Sequence, residues 1–166
     1  MAVGRFVTNP MLIGLIELPG PIYLFCVIFH QILFPFIFPR FLLIHGLVTR
    51  TIMLCVGLAV SFAGFRLLGV AKRQFAQSGT PLTKKESPNV LLTSGMFKFS
   101  RNPVYMSFMI ITFGFALAGM NAISFVIFGI FFCLWNFLTI PYEEAWMEKL
   151  FGNEYVNYMK KVRRWL

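Results

Sequence analysis

Two acids stand side by side where an apolar run ends: Glu143 and Glu144, directly after Ile140-Pro141-Tyr142. A carboxylate at the edge of hydrocarbon is unfavourable unless it is paired or wet. Adjacent residues on a helix diverge by about 100°, so only one of the two can point into a given cavity. One acid is therefore a candidate acceptor for a cationic group, and the other a candidate for an ion pair with Arg101 or a tail lysine. Two interfacial acids solvated by water are the plainer reading of the same pair. A second polar cluster, Arg101-Asn102-Pro103 with Tyr105, opens another apolar run. Proline suits a first helical turn, where its missing N–H would be unsatisfied anyway, and Tyr105 fits an interfacial aromatic anchor. His30-Gln31 and Arg66 also fall in apolar runs. Arg66 lies one turn from the end of its run and can snorkel to the headgroups. His30 has no cluster of histidines or acids around it, so no metal site is expected.

The elements that position these residues are apolar helices. A spanning helix needs about 20 residues, with about 17 as a lower limit, and residues 22–38, 51–70, 104–120 and 122–141 qualify. Asn121 alone separates the last two, which predicts a tight antiparallel hairpin. The pieces at 11–16 and 41–48 are too short to span and are expected to lie at the interface, re-enter the membrane or extend their neighbours. The expected fold class is all-α: a polytopic transmembrane bundle of about four spans with an amphipathic C-terminal helix, in which Phe151, Tyr155, Tyr158, Val162 and Trp165 recur at three- and four-residue spacing. That helix would lie on the membrane surface or pack as a lid over a cytoplasmic cavity. The chain reads as a single integral membrane domain over 1–166, with N-terminal spans over 1–70.

Composition agrees with this expectation. The chain is 58% hydrophobic and 13% charged, with 21 phenylalanines and a mean hydropathy of +0.74. A soluble domain carries about 25% charged residues, so there is too little polar surface here to cover a water-soluble globule. The net charge of +9 sits between and after the apolar runs. Anionic lipid headgroups are the partner that placement implies, and no nucleic acid is expected. The polar loop 71–101 carries Lys72, Arg73, Lys84, Lys85, Lys98 and Arg101, and the tail carries Lys149, Lys160, Lys161, Arg163 and Arg164, against only Arg40 and Arg50 between the first two runs. With four spans, the N-terminus, loop and tail share one side, and the positive-inside rule makes it cytoplasmic. Cys26, Cys55 and Cys133 are scattered through apolar runs without metal or disulfide spacing. No signal peptide is read at the N-terminus, and the last four residues hold no cysteine for prenylation.

Two blocks carry a family resemblance. The run from Asn89 to Tyr105, with Leu92-Thr93-Ser94-Gly95 and Arg101-Asn102-Pro103-Val104-Tyr105, resembles L-V-T-x-G-x-Y-x-x-x-R-[HN]-P-x-Y. Glu143-Glu144, Leu150-Phe151-Gly152, Tyr155, Tyr158 and Val162-Arg163 resemble E-E-x(6)-F-G-x-x-Y-x-x-Y-x-x-x-V-x-R. Both belong to the integral membrane methyltransferases of the isoprenylcysteine carboxyl methyltransferase and phospholipid methyltransferase family, and Gly79-Thr80 is also similar. The resemblance covers the chain from about Gln74 to Arg163 and makes 71–166 the methyltransferase core. It implies S-adenosylmethionine as methyl donor, bound on the cytoplasmic side, and a lipophilic small-molecule or lipid acceptor: an amine headgroup, a carboxylate or a thiol.

The resemblance assigns catalytic positions to Arg101 and Glu143, with Glu143 meeting the donor's ammonium. It assigns cofactor-binding positions to Asn89, Val90, Leu91, Leu92, Phe97, Asn102, Pro103, Val104, Tyr105, Glu143 and Glu144. Asn102 stands where many relatives have histidine, keeping a donor and an acceptor but losing titration. Phe97 stands where tyrosine is common, which removes a hydroxyl and keeps stacking. Thr139 stands where the isoprenylcysteine enzymes have an arginine implicated in the substrate carboxylate, which argues against a prenylcysteine substrate. The membrane sterol reductases, which use NADPH, share a similar R-x-P-x-Y region but fit the glutamate pair poorly. A non-catalytic membrane adaptor that kept the fold would have no need of an acid at the membrane edge.

Overall fold

A computed structural model describes residues 46–79 and 88–166, together with Phe29 and Ile37. The span expected over 22–38, the piece at 11–16, most of that at 41–48, and His30-Gln31 lie outside the described residues. Every regular element among the described residues is a helix. We number them α1 (Leu47–Gln77), α2 (Pro103–Gly119), α3 (Ala122–Leu134), α4 (Ile140–Phe151) and α5 (Asn153–Lys161), with a 3₁₀ turn at Gly95–Lys98 and a π-helical segment at Trp135–Thr139.

Among the described residues two stretches are long and apolar enough to cross a membrane: α1, with 31 residues, and the continuous helix Ala122–Phe151, with 30. Only 22% and 17% of their most apolar windows is buried. A core helix of a soluble protein would hide most of that surface, whereas Phe62, Val126 and Phe137 here face outward. This is the surface of an integral membrane protein. α2, with 17 residues, is a shorter apolar helix, about 25 Å long against a hydrocarbon core of about 30 Å.

α1 and α2 pack through small residues. Gly57, Ser61, Gly64, Leu68 and Ala71 form the buried stripe of α1, facing Ser107, Ile111 and Gly114 on α2. A Cβ on Gly57 would strike the backbone of Gly114 and Ala118, and one on Gly114 would strike Ser61 and the Gly57 carbonyl. The Ser61 hydroxyl donates to the Ile111 carbonyl at 3.1 Å. In lipid, where no hydrophobic drive joins helices, such close backbone approach is what holds them together.

The hairpin expected at Asn121 is present. Met120 closes α2 in a left-handed conformation, and the Asn121 side chain accepts the Ile123 N–H at 3.0 Å as the N-cap of α3. Phe113 meets Phe125 and Phe128, and Trp135 meets Tyr105 and Phe108, so the two helices run antiparallel.

The helix of the fourth expected span does not end near Pro141. It continues to Phe151 through the π-helical segment. Proline lacks an N–H and clashes with the preceding turn of an α-helix, and the wider π turn absorbs it. The Ile140 N–H bonds to the Trp135 carbonyl. The tail also differs from one continuous amphipathic helix: α4 turns at Gly152, α5 stops at Lys161, and Val162 is extended. Tyr155 and Tyr158 are buried against Leu91 and Phe97, with Phe75 packed alongside. The chain beyond α5 is drawn out by hydrogen bonds to residues 100–102, which fix it as a strap.

Candidate active site

The first block is seated on the end of α1. The Gln74 side chain accepts the Met96 N–H at 3.1 Å and donates to the Ser94 carbonyl at 3.5 Å. Gly95, at φ +59°, leaves room for it, since a Cβ there would land on the Gln74 amide. Phe97 is buried edge-on to Phe75, and its carbonyl accepts the Tyr158 hydroxyl at 2.7 Å. Burial raises the Tyr158 phenol to about 12 against a smaller opposing pull from Arg101. Burial also raises Tyr155, with Glu144 adding and Arg101 opposing.

The chain then enters α2. Pro103 is buried at the first helical turn and Asn102 precedes it. Tyr105, in the first turn of α2, donates its hydroxyl to Glu143 Oε1 at 2.5 Å, joining residues 38 positions apart. Its ring leans on Trp135, with centroids 5.3 Å apart.

Glu144 points elsewhere, as adjacent helical residues must. Arg101 Nη2 lies 2.9 Å from Oε1 and Arg164 Nη2 lies 2.7 Å from Oε2. The Glu144 and Arg101 side chains are each 12% exposed, and Arg164 is 29% exposed. Arg164 Nη1 reaches the Asn136 carbonyl at 3.0 Å, and Trp165 Nε1 donates to Asn136 Oδ1 at 3.0 Å. The strap also runs back to the first block: the Arg101 N–H bonds to the Arg163 carbonyl at 3.0 Å, and Ser100 Oγ donates to the Arg164 carbonyl at 3.0 Å. Arg101 Nε is buried with no hydrogen-bond partner among the described residues.

The structure thus brings Arg101, Asn102, Pro103, Tyr105, Glu143 and Glu144 to one end of the helical hairpin. Leu91 and Phe97 belong to the hydrophobic cluster under α5, with Leu92 packed against it. Asn89 and Val90 are exposed, and Val104 packs beside Leu68 and Phe108. Thr139 is buried in the π segment. Among the described residues no group of three or more His, Cys, Asp or Glu comes together. Arg164, Asn136, Trp165 and Gln74 were not among the expected site residues. The signal for Arg164 was available: the V-x-R spacing that starts at Val162 ends on it. Asn136 is a polar residue inside an apolar run, which is itself a flag.

A family model described as "Phospholipid methyltransferase" matches residues 46–154. The chain belongs to the phospholipid methyltransferase family. Within that family it is similar to the protein-S-isoprenylcysteine O-methyltransferase of Saccharomyces cerevisiae, 36% identical over 73% of this chain and 44% of the yeast protein. It is also similar to protein-S-isoprenylcysteine O-methyltransferase B of Arabidopsis thaliana, 33% identical over 64% of this chain and 55% of the plant protein. The chain spans about half the length of the curated relatives it matches. No solved structure matches it. The family match ends before the strap at 162–165, so the Arg164 contacts are a feature of the structure rather than of the match.

Proposed function

We propose that this protein is a membrane-embedded methyltransferase that moves a methyl group from S-adenosylmethionine to a lipophilic acceptor. The observation that carries the reading is the Tyr105–Glu143 hydrogen bond at the end of the hairpin. It brings the two motif blocks together at a single carboxylate, as the family membership leads one to expect.

The residues present suit the donor. Glu143 is a fixed acid for its ammonium, aimed by Tyr105. The buried, unpartnered Arg101 Nε is a donor suited to an anionic group. Asn89 to Leu92, Phe97 and the Asn102-Pro103-Val104 turn are the expected walls of the site, and Glu144 supports it by fixing Arg101. When bound, the donor's sulfonium supplies an already electrophilic methyl group. The chain's task is then to hold the reacting atoms in line at about 3–3.5 Å and to keep water away.

The acceptor is an amine headgroup, a carboxylate or a thiol on an apolar body, entering sideways from the bilayer between helices. The relatives, isoprenylcysteine O-methyltransferases, point to a prenylated carboxylate, while Thr139 lacks the cationic anchor that such an acceptor would use. The topology that fits is four spans, with the long loop, the tail and the donor site on the cytoplasmic face.

The test is calorimetric binding of S-adenosylhomocysteine to the detergent-purified protein, beside transfer of a tritiated methyl group to native membrane lipids. Saturable binding that weakens in Glu143→Ala is the expected result. No saturable binding, or a Glu143→Ala variant indistinguishable from wild type, would overturn the assignment.

A further inference from the structure

We infer that Arg164, carried on the C-terminal strap, is a positioning residue that sets the direction of the Glu143 carboxylate. The inference rests on the proposed role of Glu143 and goes beyond it, to a residue 21 positions away in sequence.

The starting point is a missing hydrogen bond. Inside a helix the Asn136 carbonyl would bond to the N–H of Ile140 in an α turn or of residue 141 in a π turn. Here the Ile140 N–H is taken by the Trp135 carbonyl, and residue 141 is proline, which has none. The Asn136 carbonyl is left without a helical donor about two turns before the two acids. Asn136 is half-buried, a carbonyl shielded from water needs a partner, and Arg164 Nη1 supplies it at 3.0 Å. The same guanidinium then reaches Glu144, with Nη2 to Oε2 at 2.7 Å and Nε to Oε1 at 3.2 Å.

One planar fork therefore bridges the carbonyl before the break and the carboxylate after it. Proline and π-bulges are where helices change direction, so the angle at which α4 leaves the π segment is not set by the helix's own bonds. Arg164 sets it, and Glu143, next to Glu144, is aimed with it. Trp165 reinforces the hold: its Nε1 donates to Asn136 Oδ1 at 3.0 Å and its ring stacks on Phe132 at 5.6 Å. The strap is itself tied to Ser100 and Arg101 through its carbonyls, so the acid is aimed relative to the turn that carries Tyr105.

The experiment is a double-mutant cycle read as the S-adenosylhomocysteine Kd of the full chain in detergent. Arg164→Ala is expected to weaken binding about 10-fold. In a Glu143→Gln background the same change is expected to add less than about 2-fold, because the acid it aims is no longer there to lose. Arg164→Lys keeps the charge but not the fork, and is expected to fall closer to Arg164→Ala than to wild type. Trp165→Phe removes one donor while keeping the stack, and shifts the Kd the same way by a smaller factor. Lys161→Ala, which removes an exposed tail charge, leaves it unchanged.

Equal factors in the two backgrounds would make Arg164 independent of Glu143 and overturn the inference, as would full recovery in Arg164→Lys. If Arg164→Ala does not fold, Trp165→Phe decides: a shift in wild type but not in Glu143→Gln supports the inference, and no shift overturns it. A Glu143→Gln variant that binds as tightly as wild type sinks the functional reading itself. Weakened Glu143→Gln with silent Arg164→Ala and Trp165→Phe sinks only the role of the strap.

Discussion

Replacing Tyr105 by phenylalanine isolates one hydrogen bond at the centre of the candidate site. The hydroxyl is 2.5 Å from Glu143 Oε1, while the ring is held separately by Trp135 at 5.3 Å. Tyr105→Phe therefore removes a donor and leaves the packing. A hydrogen bond to a charged group contributes about 1.5–3 kcal/mol to stability. Glu143 is only half-buried, so water recovers part of that, and the lower end applies. For binding, the relevant quantity is the ordering of the released carboxylate. Immobilising one rotamer-rich side chain costs about 0.5–1.5 kcal/mol, which is about a 2- to 10-fold rise in Kd at 1.4 kcal/mol per decade. Calorimetry with S-adenosylhomocysteine measures it directly, with Tyr142→Phe, one residue from Glu143, as the control. The kcat at saturating donor is expected to be unchanged, because the lost hydroxyl acts on binding of the ammonium and not on the transferring methyl. A Kd equal to that of Tyr142→Phe would refute the aiming role of Tyr105. A loss above about 100-fold in folded protein would exceed an ordering cost and place the hydroxyl on the ligand itself.

Other perturbations test the frame around that bond. Glu144→Ala leaves two guanidiniums without their acceptor, one of them on a side chain only 12% exposed. Breaking such a pair destabilises by about 3–5 kcal/mol, and the exposure of Arg164 puts the expected loss near the lower end; Glu144→Gln, which keeps an acceptor oxygen, loses less, and equal Tm values for both variants and wild type would contradict this. Gly114→Ala drives a methyl group into Ser61 and the Gly57 carbonyl and is expected to weaken the α1–α2 pair by about 1–3 kcal/mol, read as a lower thermal midpoint. The raised phenol of Tyr158 gives the docking of α5 a pH limit. A group whose folded pKa lies above its ordinary value of 10 contributes stability that is whole below pH 10 and lost as pH rises through about 12. Tyrosinate absorbance and unfolding should therefore rise together across that window, and Tyr158→Phe should remove the Tyr158 part of the change.

Much of this was legible in the residues. The apolar runs at 51–70 and 122–141 lie within α1 and the long last helix, and that at 104–120 overruns α2 by the cap residue Met120 alone, because length and hydropathy dictate a helix in lipid. Asn121 marked the hairpin because a buried polar residue between two apolar runs has few other uses. The divergence of adjacent helical residues sent Glu143 and Glu144 to different partners, Tyr105 and the two arginines. The three- and four-residue spacing of the tail runs unbroken through Gly152 and so gives no sign of the bend there, where a φ of +55° separates α4 from α5. The small-residue seam of Gly57, Ser61, Gly64 and Gly114 left no mark in a hydrophobicity profile, since glycine and serine interrupt an apolar face rather than define one. As tail charges Arg163 and Arg164 read alike; the V-x-R spacing singles out Arg164, and the extended backbone at Val162 is where the structure turns it inward while Arg163 stays exposed.

Pro141 illustrates why the sequence rule and the structure part company at this site. Proline in an apolar helix predicts a stop or a kink, and a stop would have left the two acids on a loose interfacial segment. The π-helical segment lets the helix pass the proline instead, at the expense of one carbonyl that the helix can no longer satisfy. That unsatisfied acceptor is what gives a distant arginine a reason to be where it is, and the arginine in turn fixes the carboxylate beside Glu143. Local rules are broken most often where a structure has something to hold in place. Here the break lies one helical turn ahead of the acid on which the proposed chemistry depends. A helix with its full complement of bonds would be more stable locally and would carry no information from the C-terminal strap. The interrupted one is aimed by two separate parts of the chain, Tyr105 from α2 and Arg164 from the tail, so the direction of the acid depends on the seating of both the hairpin and the strap.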